Sequence, residues 1–235
     1  MRNELGSALR RRVGLLAAIL LLGVATAAAL AGTVDDRTFA TLSDPVQSLM
    51  SVLVPLVGIL LVRDLRGTSP LAPTLSAAVL VAAAVGLFGA AACATALALA
   101  PPGATQDPWA GAAVIVLGGM LVQVVAQLVG TGMALLLRSA PLAFLATFLP
   151  LALWLALSAV DALRPARDWF TPYATVRHLL SGHMTPLTWL QWLTVLLLWG
   201  VALNTAGAVA TAHARRRSPG YTARRARRAT PRSDG

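Results

Sequence analysis

The chain has 235 residues, is 57% hydrophobic and 12% charged, and has a mean hydropathy of +0.73. Soluble domains carry about a quarter charged residues, so this much apolar surface calls for a bilayer as solvent. The basic residues are 19 Arg with no Lys, which excludes Schiff-base chemistry and a Gly-rich phosphate loop closed by Gly-Lys-Ser/Thr.

Met1–Arg12 is polar and carries four Arg. Val13–Gly32 follows, twenty residues without a charge, enough to cross about 30 Å at 1.5 Å per residue. Its Ala29-Leu30-Ala31 end is also compatible with signal-peptide cleavage, but the run is longer than such cores, so a retained first helix is expected. Pro45 is placed to open a second span, Val46–Val62, with Ser43 or Asp44 as cap and Pro55 inviting a kink. The stretch Arg63–Pro73 packs three charges into four residues. Thr74–Ala100 is an Ala-rich third span, broken by Pro101-Pro102-Gly103. Trp109–Leu137 is the fourth, longer than a bilayer requires. Arg138-Ser139-Ala140 is a tight turn, and Pro141 opens a fifth span ending near Val160.

Asp161–Thr185 is too long for a structureless link. Thr171-Pro172 reads as a helix start and Gly182 as a stop, with Tyr173, Val176, Leu179 and Leu180 on one face. A short amphipathic or re-entrant helix is expected there, with Trp169, Phe170 and Tyr173 at a membrane–water boundary. Thr185-Pro186 starts the sixth span, which runs to about Ala212. Ala214–Gly235 holds eight Arg and little to bury, so a disordered tail is expected. The fold class is thus an all-α membrane protein with six spans, in a domain from residue 13 to 213.

Six spans put both termini on one side. Fifteen of the 19 Arg fall on that side, which predicts cytoplasmic termini. Heavy Ala and Arg use without Lys points to a GC-rich bacterial genome, hence a bacterial plasma membrane. The tail then serves as a topology determinant held at an anionic lipid surface, at about 1 kcal/mol per nearby Arg. Nucleic-acid binding is not expected, since no aromatic platform accompanies the charge.

The interiors of the spans carry no Asp, Glu, Lys or Arg, the groups that ion-coupled carriers use as relays. The most polar helical face is Gln123, Gln127 and Thr131, with Asn204 a weaker case of the same kind. These side chains either hydrogen-bond between helices or line a substrate path. Cys93 is a small packing residue. His178 and His183 are five apart and lack a third ligand, so no metal site is expected. No cofactor and no active site of its own is expected on the chain.

Six spans, a basic N-terminal segment, an acidic residue followed by Gly-Thr after the second span, and a hydrophobic hairpin-like segment before the sixth resemble the permease subunits of ABC-2 type transporters. Asp64 stands where members often carry Glu, and Gly67-Thr68 and Pro70 and Pro73 follow; the basic residues that often precede the third span are missing. The resemblance covers roughly residues 1–217. It implies that Arg63, Asp64, Leu65, Arg66, Gly67 and Thr68 form a coupling loop docked on a separate ATP-binding cassette ATPase. It also implies pairing with a second permease, as homodimer or heterodimer, and export driven by ATP hydrolysis on the partner. Alternatives are a membrane scaffold, immunity or assembly protein without transport activity, and a stand-alone carrier or channel.

Overall fold

A computed structural model describes residues 2–33, 36–65, 71–101 and 107–216. The expected Arg66-Gly67-Thr68 part of the coupling loop, Pro70, the Pro102-Gly103 break and the tail from residue 217 lie outside the described residues. The described residues form an all-α protein with six helical stretches long and apolar enough to cross a membrane.

The helices are α1 (Arg2–Thr33), α2 (Phe39–Leu65), α3 (Leu71–Leu99), α4 (Ala112–Leu136), α5 (Ala140–Ala146), α6 (Leu149–Ser158), α7 (Arg164–Phe170), α8 (Pro172–Leu180), α9 (Pro186–Val195) and α10 (Leu203–Arg216). A π-helical segment, Leu196–Ala202, joins α9 to α10, so the sixth span is one continuous rod. α4 is the central post, packed by α2, α3, α5, α8 and α10. One apolar core, built on Ile19, Met50, Val54 and Ile115, joins α1 to α4. A second, built on Val125, Met133, Leu179, Trp192 and Trp199, joins α4 to α8 and the sixth span.

Several boundaries differ from expectation for identifiable reasons. α1 begins at Arg2, so the polar N-terminal segment extends the first helix by turns. α2 starts seven residues before the expected Val46, with Pro45 inside it. Its start is set by Thr38 and Thr41, which exchange backbone N–H to hydroxyl bonds at 2.9 and 3.1 Å. This reciprocal cage does the work of a capping box with Thr in place of Glu. Thr185 and Thr188 repeat it at α9, as the Thr185-Pro186 start predicts. α10 continues to Arg216, past the expected tail boundary.

The fifth span is two helices rather than one. Pro150 has no N–H to offer Ala146 O, and its ring crowds the turn before it. Thr147 and Phe148 close that break with tighter bonds, Thr147 N to Phe144 O at 3.0 Å and Phe148 N to Leu145 O at 3.1 Å. The expected helix at Thr171–Gly182 is α8, and Gly182 ends it at φ 78°. The structure adds α7 ahead of it, so the connection is a helical hairpin.

Candidate functional site

The α7–α8 hairpin is re-entrant. Leu179 of α8 lies against Gly118 of α4, and Gly182 against Gly111, close to where α4 begins. α8 therefore runs inward from Gly182 towards its start at Pro172. At the tip, Trp199 Nε1 donates to Phe170 O at 2.8 Å. Trp199 lies thirteen residues beyond Pro186, so the tip reaches about 20 Å along the sixth span. Phe170 and Tyr173 consequently sit deep along the bundle, not at the boundary expected for them.

Non-helical backbone at that depth is tolerated only when its polar groups are satisfied within the protein. The tip meets this condition. Thr171, fully buried, turns its hydroxyl to Arg167 O at 2.9 Å, and Thr175 Oγ1 donates to Pro172 O at 3.1 Å. Farther out, Arg167 lies over the Trp154 ring at 5.9 Å and pairs with Asp168 at 3.2 Å.

The polar face of α4 forms a seam with its neighbours. Gln123 Nε2 donates to Gln47 O and to Gln47 Oε1, both at 2.9 Å, and Gln47 Nε2 donates to Gly86 O at 2.8 Å. One turn on, with the Gln127 amide oriented to suit its neighbours, Nε2 donates to Val54 O at 2.6 Å and Oε1 accepts from Gly58 N at 3.2 Å. A regular helix pairs those two backbone groups with each other; beside Pro55 the Gln127 amide serves both. A further turn on, Thr131 Oγ1 donates to Asn204 Oδ1 at 2.8 Å. Asn204 Nδ2 donates to Leu128 O at 2.8 Å and to Gly200 O at 2.7 Å, inside the π-helical segment.

Gln123, Gln127, Thr131 and Asn204 are therefore brought together as an interhelical ladder, buried and closed to solvent. Gln47, which the sequence reading did not single out, ties three helices at once. Its signal was the i, i+4 pair Ser43 and Gln47 on one face of the second helix.

On the neighbouring face of the α2–α4 contact lies a cavity of about 300 Å³. Ser48, Ser51, Val52 and Pro55 of α2, Val122, Val125, Ala126 and Val129 of α4, and Trp192 of α9 form its walls. The break of the fifth span (Thr147, Phe148, Pro150) and the hairpin tip (Pro172, Tyr173, Val176) complete it. None of its lining residues is charged. The four expected path residues lie in the seam, outside this lining.

Of the expected coupling loop, Arg63 is exposed at the end of α2, and Asp64 and Leu65 close that helix. Among the described residues no three His, Cys, Asp or Glu side chains come together as metal ligands. No protein-family model, curated protein or solved structure matches the chain.

Proposed function

We propose that this chain is the membrane-spanning subunit of an ABC-2 type, ATP-driven exporter, paired with a second permease and with a separate ATPase. The observation that carries the reading is the re-entrant α7–α8 hairpin between the fifth and sixth spans. It enters from the end of the bundle opposite the termini, where an exporter needs an exit structure. The reading is further supported by where charge is missing. The charged residues of the spans, Arg10–Arg12, Asp44 and Arg63, lie towards helix ends with none at mid-depth, which fits energy entering from outside the membrane. Arg63, Asp64, Leu65, Arg66, Gly67 and Thr68 sit at or just beyond the end of α2, on the Arg-rich side, and are the proposed docking point. Gln123, Gln127, Thr131 and Asn204 are proposed to face the path when the seam parts in another state.

The test is to look for a soluble ATPase encoded in an adjacent reading frame and to co-express the chain with it. Co-purification and stimulated ATP hydrolysis are expected, and both should be lost on Arg63→Glu with Arg66→Glu. Association and hydrolysis unchanged by charge reversal would refute the docking assignment. Transport by the reconstituted chain without an ATPase would refute the class.

A further inference from the structure

The cavity beside the seam has a defined mouth. Leu49 and Val52 of α2, Phe148 at the break of the fifth span, and Tyr173 at the hairpin tip all line it, and all four are exposed on the molecular surface. Leu49 and Val52 lie ten and thirteen residues into α2, about 15–20 Å from its start and near the middle of that 27-residue helix. The opening thus faces sideways at mid-membrane depth, rimmed by Leu49, Val52 and Phe148 with the Tyr173 ring.

Most polar groups of the walls are already satisfied within the protein; Trp192 Nε1, buried without a partner, and the Tyr173 phenol are the polar groups left over. Ser51 Oγ already donates to Ser48 O at 2.7 Å, and Thr147 Oγ1 donates to Phe144 O at 2.6 Å. Ser48 Oγ points to Asp44 Oδ1 at 3.4 Å, towards the hairpin end. The back wall is Val122, Val125, Val129 and Trp192, each between 1% and 5% exposed. About 300 Å³ is the lower end of the range for small-molecule sites. A void of this size lined mainly by apolar atoms is filled favourably by an apolar guest, not by water.

From the mouth's depth and the uncharged lining, we propose that the cavity binds the hydrocarbon chain of a membrane lipid, admitted laterally between α2 and the broken fifth span. The site stands independently of any ATPase partner.

The experiment uses the full chain in nanodiscs of phosphatidylcholine with a diazirine at mid-chain, irradiated and mapped by peptide mass spectrometry. Adducts are expected on Val125, Val129 or Trp192 as well as on exposed Leu21 and Leu80. Gln123, buried in the seam, sets the background. Ala126→Phe places a ring inside the cavity and should reduce the wall adducts to that background while leaving those on Leu80. Val52→Trp, at the exposed rim, tests the same point from outside if the filled variant does not fold. Adducts confined to exposed helix faces would overturn the proposal. So would wall adducts that persist in both variants, or protein–protein cross-links at the mouth in place of lipid adducts.

Discussion

Gly86→Ala is the sharpest test of the α3–α4 contact. A Cβ at Gly86 would fall 2.6 Å from both Gly119 O and Met120 Cα, and 2.8 Å from Gly119 C, where ordinary contacts are 3.4–4 Å. All three are backbone atoms, so no side chain can swing aside. The two helices must part by about 1 Å to restore normal van der Waals separation. That separation also stretches the Gln47 Nε2 to Gly86 O bond from 2.8 Å beyond hydrogen-bonding range. Overpacking of this kind costs about 1–3 kcal/mol and the lost bond about 0.6 kcal/mol, so about 2–4 kcal/mol is expected in all. Gly14→Ala is the matched control, because a Cβ there meets nothing within 4 Å. It should stabilise α1 by about 0.5–1 kcal/mol through the usual helix preference of Ala over Gly. The assay is reversible unfolding in mixed micelles of mild and denaturing detergent. If Gly86→Ala unfolds at the wild-type midpoint, or Gly14→Ala costs as much as Gly86→Ala, the close-contact reasoning fails.

Trp199→Phe keeps an aromatic ring but removes the donor to Phe170 O, leaving a carbonyl unpaired at the hairpin tip. It should cost about 1–3 kcal/mol and raise deuterium exchange selectively over residues 164–180. Unchanged exchange in that segment would detach Trp199 from hairpin anchoring. Thr131→Val and Asn204→Leu, taken singly and together, should give a coupling of about 0.6 kcal/mol and at most about 1.7 kcal/mol. A coupling of zero in detergent unfolding would show that their 2.8 Å bond contributes nothing net.

The spans were legible because the bilayer imposes both length and composition, and long uncharged runs such as Val13–Gly32 have few other readings. α8 was legible because Thr171-Pro172 and Gly182 mark it chemically at both ends. The start of α2 was not. Pro45 is a stronger start signal than Thr38-Phe39-Ala40-Thr41, and only the folded geometry shows the two threonines capping each other. The break at Thr147–Phe148 follows from Pro150, but a proline can equally bend a helix without interrupting it. α7 was missed because Arg164–Phe170 shows no clean apolar period; α6 and α9 hold it through tertiary packing. The polar residues of α4 were visible as a face. What they touch was not, since Gln47, Gly86 and Asn204 are distant in sequence and brought there by the fold.

The seam and the cavity use neighbouring faces of the same two helices, which bears on where the bundle can move. Gln123, Gln127 and Thr131 face the seam; Val122, Val125, Ala126 and Val129 face the cavity. On the seam side a Cβ at Gly58 would clash with Gln127 O at 2.9 Å, and one at Gly130 would clash with Pro55 O. Tight backbone approach and buried hydrogen bonds resist separation together, so α2 and α4 behave as one unit. The opposite wall of the cavity is built differently. α6 packs on α7 and α8 but makes no substantial contact with α4, and little of the fifth span is buried. The break beside Phe148 gives that wall a ready hinge, while Trp199 tethers the hairpin tip to the sixth span. Widening of the cavity therefore falls to α6, the half of the fifth span beyond the break, moving against an α2–α4 pair to which α5 stays packed. Any opening of the seam requires a larger driving force, because it must break the glutamine ladder and the glycine contacts at once.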